Sequence, residues 1–192
     1  DVLGIFFKEG INEEIKGVYL FGSYARSDYD YDSDVDVLVI TKKTNKLINK
    51  DKYEILLVSE QDFSKNWSTS LNYLSILREI KVILNRELIE KYILQKHKLN
   101  IKKNLIEIKK ILNINKESIR ICEEKGKSIP DGIVYSVVLR LRELYLIKCL
   151  LADAPYSKRD FLKITGEKIY SVYTRIKKNE KELDNTSSDE IK

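Results

Sequence analysis

The sequence predicts an α+β chain: a small mixed β-sheet in residues 1–86, an all-α helical bundle in residues 87–182, and a frayed tail at 183–192. Three observations carry this. Short β-rich runs separated by polar turns are confined to the first 85 residues. After Asn85 the apolar residues recur at three-four spacing. Residues 133–151 are apolar on most sides, as the central helix of a bundle is. At about 150 residues per domain, 192 residues make one to two compact units, long enough to bury a core without disulfide or metal staples.

The elements follow in order. A first helix ends near Gly10. Residues 18–21, 35–40, 53–58 and 82–84 read as strands, and 71–79 as a helix between the last two. Between the strands lie Gly22-Ser23, the Asp/Tyr-rich stretch 28–33, and the polar segment 41–52. In the second half, Ile101, Leu105, Ile108, Leu112, Ile119 and Cys122 mark one buried helix face, which Gly126 ends. Ile129-Pro130-Asp131-Gly132 makes a turn into the central helix, and Asp153-Ala154-Pro155 stops that helix. Ser157 and Asp160 have capping-box spacing for a short helix ending near Gly166, and a last helix covers 169–177. The polar residues 179–192 are expected to fray.

Composition narrows the function classes. With 43% hydrophobic and 34% charged residues, the chain reads as globular and not disordered. Arg140, Arg142, Glu143 and Lys148 break the longest apolar stretch, so no membrane span is expected. Thirty-five basic against 30 acidic residues gives +5, which permits a polyanionic partner without requiring one. The lysines at 102, 103, 109, 110 and 116 form a basic helix face, but Glu107 and Glu117 interrupt it and no aromatic interleaves for base stacking. A nucleic-acid partner is therefore not expected. Methionine is absent, a start residue included, which predicts a processed amino terminus. With no cationic-then-apolar leader and with Cys122 and Cys149 isolated in helical patterns, reduced thiols and a cytoplasmic setting are expected.

The chemistry is concentrated in Val18-Tyr-Leu-Phe-Gly-Ser-Tyr-Ala-Arg26 and Ser33-Asp-Val-Asp-Val-Leu-Val-Ile40. A strand runs into Gly22-Ser23, where a helix starts. Glycine lets the backbone approach a phosphate, the helix-start amides offer unpaired donors, and Ser23 adds a hydroxyl. Asp34 and Asp36 stand two apart at the start of a strand, so both carboxylates share one face, roughly 6–7 Å apart along the chain. That spacing suits two divalent cations about 3.5–4 Å apart, clamping the attacking and leaving oxygens of an in-line displacement. Hard oxygen donors beside phosphates point to Mg2+, with Mn2+ as the other choice.

Gly22-Ser23, ten intervening residues, then Asp34-Val35-Asp36 resembles the GSx10DxD signature of minimal nucleotidyltransferases in the DNA polymerase β superfamily. Leu20-Phe21 and Tyr24-Ala25-Arg26 resemble the usual setting of that signature. The resemblance is close over 18–40 and looser to Asn85. It implies that Gly22 and Ser23 hold a nucleoside triphosphate, ATP first, and that Asp34 and Asp36 bind the metals. A third carboxylate completes the site in this family, and Glu54 is the candidate. The family usually has Asp there, after a longer connection. Glu54 would sit level with the two acids only if its strand runs parallel to theirs, with 41–52 as the crossover. Asp62 is the fallback. Arg26 pairs either with a phosphate or with Asp28 or Asp30, and Tyr24, Tyr29 and Tyr31 either stack a base or pack on the surface.

The helical half is similar in pattern to the substrate-binding and HEPN-type bundles that accompany such transferases. HEPN ribonucleases place an Arg a few residues before a His. The single histidine here, His97, has Arg86 too far upstream, so ribonuclease activity is not expected and His97 reads as a surface residue. Ser136, Arg140 and Glu143 share one narrow face of the central helix. They form either an exposed ion pair or, by resemblance to antibiotic nucleotidyltransferases, a face on which Glu143 acts as general base for the acceptor. The expected function is transfer of a nucleoside monophosphate from an NTP to a hydroxyl on a small molecule or a protein, with release of pyrophosphate and a two-metal mechanism. The rival is an antitoxin-like module that neutralises a partner by contact or by adenylylation. The acceptor's identity and homodimer formation stay open.

Overall fold

The structure, a computed structural model, describes residues 1–31 and 33–191. Asp32 of the Asp/Tyr-rich stretch and Lys192 of the tail lie outside the described residues. It resolves into two compact units, Asp1–Leu99 and Asn100–Lys192.

The first unit begins with α1 (Val2–Lys8), whose N-cap Asp1 accepts the Gly4 N–H at 2.7 Å. β1 (Ile15–Phe21) runs directly into the short α2 (Gly22–Arg26). β2 (Val35–Thr41), β3 (Lys46–Lys50) and β4 (Tyr53–Ser59) follow, then α3 (Glu60–Asn66), α4 (Leu71–Glu79), β5 (Lys81–Leu84) and α5 (Arg86–Ile93). Among the described residues the strands form one mixed sheet in the order β3-β4-β2-β1-β5. β2 and β4 are parallel, and every other neighbouring pair is antiparallel.

Period-two alternation gives the sheet two apolar faces. Val18, Val37, Val39, Ile55 and Leu57 point to one side, where Ile5 and Phe6 of α1 close over them. Leu38 and Ile40, both fully buried, point the other way. On that side α3 packs on β2 and β4, and α5 packs on β1. Phe63, Trp67 and Tyr92 form an aromatic cluster there, with ring centroids 5.0 Å apart for Phe63–Tyr92 and 5.6 Å for Trp67–Tyr92.

The segment 41–52, expected as a plain crossover, carries β3. This strand crosses beyond β4 and pairs antiparallel with its outer edge, so β4 enters between β3 and β2. The boundary between units also falls later than the expected 86/87. α5 belongs with the sheet: the Asn85 side chain caps it at Leu88 N–H and donates to the Lys16 carbonyl at 2.9 Å, while Ile89 and Tyr92 are buried.

The second unit consists of α6 (Ile101–Glu124), α7 (Asp131–Leu151), α8 (Lys158–Thr165) and α9 (Glu167–Lys177). Ser157 caps α8 through the Asp160 N–H, and Gly166 ends it at φ 74°. Val134, Val138, Tyr145, Phe161, Ile169 and Val172 form its core. Residues of the tail that is expected to fray make hydrogen bonds to the bundle. Ile129 N–H donates to the Thr186 carbonyl at 2.9 Å, and Leu183 N–H donates to the fully buried Asp131 at 3.0 Å. Arg175 holds the same Asp131 oxygen at 2.5 Å. Polar composition alone hides such docking, because hydrogen bonds from the tail backbone carry it. Among the described residues no helix is long and apolar enough to cross a membrane.

Candidate functional site

The carboxy-terminal end of β1 and the amino-terminal ends of β2 and β4 meet at one end of the sheet. Phe21 pairs with Asp36, and Asp36 pairs with Glu54, so three adjacent strands bring these residues abreast. Neighbouring strands stand about 4.8 Å apart. Asp34 lies two residues before Asp36, just ahead of the strand, and all three acids are half-buried. Asp36 and Glu54 fall on the sheet face opposite Val37 and Ile55, as alternation requires. The parallel alignment on which Glu54's candidacy depended is the one observed.

β1 leaves the sheet through Gly22, which adopts φ +70°. A Cβ on Gly22 would stand 1.9 Å from Asp36 Oδ2 and 2.7 Å from its Cγ. The glycine thus serves both a left-handed backbone and the close approach of Asp36. Ser23 follows at the start of α2.

Arg26, at the end of α2, is held by two carboxylates: Nη1 donates to Glu79 Oε2 at 2.5 Å, and Nε donates to Asp28 Oδ2 at 3.2 Å. Burial works against its charge, but Glu79 and Asp28 outweigh burial and raise its pKa. The Gly22 N–H donates to the other Glu79 oxygen, Oε1, at 2.9 Å. Sequence reasoning missed Glu79. Its signal is an acid as the last residue of α4, against the helix dipole, which asks for a cationic partner elsewhere.

Tyr24 and Tyr29 stack on each other with centroids 4.3 Å apart, bracing the loop after α2, while Tyr31 is fully exposed. Asp62, the fallback acid, lies at the opposite end of β4. It accepts from Ser59 Oγ and Asn45 Nδ2, which lower its pKa, and it belongs to the cap of α3. It is not brought to the three acids.

As they stand, the described residues form no cluster of three His, Cys, Asp or Glu side chains able to hold a metal ion. The hard oxygen donors and their level register nevertheless suit a divalent cation, provided the carboxylates swing together around it. In the second unit, Glu143 pairs with Arg140 at 3.0 Å. Burial raises the Glu143 pKa against the pull of Arg140 and Arg142. His97 is half-buried and accepts the Leu99 N–H at 3.4 Å. The five lysines on α6 are exposed, and among the described residues neither Cys122 nor Cys149 is in a disulfide.

The sequence profile of the family described as "Nucleotidyltransferase domain" matches residues 6–128. Over 51 residues the chain is 43% identical to a protein of Methanocaldococcus jannaschii named "Putative protein adenylyltransferase"; the match covers 27% of this chain and half the length of that relative. Two solved structures are similar at low level. A nucleotidyltransferase-like protein from Exiguobacterium sibiricum aligns at 16% identity and TM-score 0.35, over 91% of this chain and 65% of its own. Spectinomycin adenyltransferase AAD(9) from Enterococcus faecialis, solved with ATP and spectinomycin, aligns at 14% identity and TM-score 0.34, over 91% of this chain and 96% of its own. At those scores neither adds to the fold, which rests on the strand order itself.

Proposed function

The chain belongs to the nucleotidyltransferase domain family, and from that premise we propose that it moves AMP from ATP onto a hydroxyl acceptor. The acceptor oxygen attacks the α-phosphorus as its hydroxyl proton passes to solvent, the bond from that phosphorus to the α–β bridging oxygen breaks, and pyrophosphate leaves. Gly22 and Ser23 receive the triphosphate, and Asp34, Asp36 and Glu54 are the acids of the site. These three would hold the divalent cations, Mg2+ or Mn2+, which when bound offset charge on the attacking and leaving oxygens.

The single observation that carries this reading is the pairing of Asp36 with Glu54. Like charges directly opposite on neighbouring strands destabilise a sheet. Two acids abreast, with a third two residues before one of them, are a liability to a purely structural sheet and an asset to a cation site. The name of the Methanocaldococcus relative favours a protein hydroxyl as acceptor. That neither Cys122 nor Cys149 is in a disulfide among the described residues accords with a reducing, cytoplasmic setting.

Incubating the protein with cell extract and ATP labelled at either the α or the γ phosphate tests the reaction. Transfer predicts that α label enters an acceptor, that γ label leaves in pyrophosphate, and that Asp36→Asn abolishes both. Retention of γ label on the acceptor would mean phosphoryl transfer instead, and incorporation that survives Asp36→Asn would remove this site as its source.

A further inference from the structure

We propose that Glu79 is a positioning residue of the transfer site, fixing the Gly22-Ser23 turn through the Gly22 amide while Arg26 cancels its charge. The inference rests on the nucleotidyl-transfer reading of that turn. Both oxygens of Glu79 are committed: Oε1 accepts the Gly22 N–H at 2.9 Å, and Oε2 accepts Arg26 Nη1 at 2.5 Å. Its side chain is only 9% exposed and that of Arg26 only 14%. A carboxylate so withdrawn from water is retained only when paired.

The anchor is firm. Glu79 ends α4 two residues before β5 begins, and β5 pairs with β1, the strand that leads into Gly22. Glu79 therefore holds the turn from an element already tied to the same strand. Gly22 is the point where this hold reaches the acids. Its amide is fixed by Glu79, and its Cα stands against Asp36, where even a methyl group would collide. The Gly22 peptide, at φ +70°, is held by its amide bond to Glu79, so losing that bond loosens both the turn and the clearance beside Asp36.

The charge explains Arg26. An uncompensated carboxylate on the amide of a phosphate-receiving turn repels a triphosphate. Arg26 removes that repulsion by pairing with Glu79, so its effect on nucleotide binding is indirect.

Titration calorimetry with ATP and Mg2+ on the full chain tests this, with thermal unfolding of each variant as the check on folding. In an Arg26→Gln background, where no unpaired guanidinium is left to attract the nucleotide, Glu79→Ala should bind ATP about tenfold more weakly than Glu79→Gln, the size expected for one lost hydrogen bond. Arg26→Gln, leaving Glu79 bare, should weaken binding about tenfold as well. The double variant Glu79→Gln with Arg26→Gln should recover to within about threefold of wild type, because a neutral amide still accepts from Gly22 and no charge is left to repel. A double variant as weak as Arg26→Gln would mean that Arg26 itself contacts the nucleotide, and would overturn the proposal. So would Glu79→Ala binding as tightly as Glu79→Gln in the Arg26→Gln background. Failure of wild type itself to bind ATP would remove the transfer reading and this inference with it; binding by wild type with no difference between those two variants removes the inference alone.

Discussion

Gly22 carries two constraints that can be separated. Its positive φ costs an L-residue about 1–2 kcal/mol, and the Asp36 carboxylate fills the space a Cβ would take. Gly22→Ala should therefore destabilise wild type by roughly 2–5 kcal/mol, the sum of backbone and overpacking terms. In an Asp36→Ala background the cost should fall to about 1–2 kcal/mol, the backbone part alone. Urea unfolding of the four proteins measures this; equal costs in both backgrounds would mean that Asp36 moves aside freely. Glu143 gives a second residue-level test. Burial raises its folded pKa above the ordinary glutamate value in spite of Arg140. A carboxyl with a raised pKa favours folding below its unfolded value, and that contribution is lost as pH rises through the folded pKa. Relative to Glu143→Gln, wild type should thus be more stable near pH 4 than near pH 7. The opposite order would mean that the Arg140 pair outweighs burial. Legibility at this scale is uneven. Gly22, Ser23, Asp34 and Asp36 mark the candidate site by type and spacing, and Glu54 enters only as the third acid that the resemblance implies, departing from the family in both; Glu79 lies far along the chain and is brought to Gly22 only by tertiary packing.

The elements differ in how openly they declare themselves. β1, β2 and β4 alternate or run apolar because both sheet faces are covered, so their cores are readable at 18–21, 35–40 and 53–58. β3 buries a single side chain, Ile48, and has lysines at both ends. Such polar strands suit a sheet edge, where charge discourages further pairing, and for the same reason they read as loop. The spacing of α5 is helical, and nothing in it says which core the helix joins. The tail's contacts are polar and leave no hydrophobic pattern to read. Asp131, fully buried, receives Arg175 and the Leu183 amide. Removing that carboxylate leaves Arg175 and the amide without their acceptor, so Asp131→Ala should cost about 3–5 kcal/mol and loosen residues 183–191 together. Hydrogen exchange of the Leu183 amide reports the second effect; protection that persists in Asp131→Ala would mean that the tail is held by other contacts.

At the scale of the whole molecule, the order of strands and helices in the first unit serves one outcome: three strand ends and one helix end meet around Gly22. β1 delivers the turn, β2 and β4 deliver the acids, and α4 delivers Glu79. The parallel β2–β4 pair is the topological step on which the rest depends, since an antiparallel hairpin would have left Glu54 at the far end of the acid strand. The most direct measurement of the central claim is the thermal shift of the full chain with ATP, with and without Mg2+, in wild type and Asp36→Asn. Carboxylates that share a cation with a triphosphate bind each weakly alone and both well together. The shift should therefore need ATP and Mg2+ jointly in wild type and vanish in Asp36→Asn. Equal shifts in the two proteins, or a full shift without the divalent cation, would contradict the assignment of these acids.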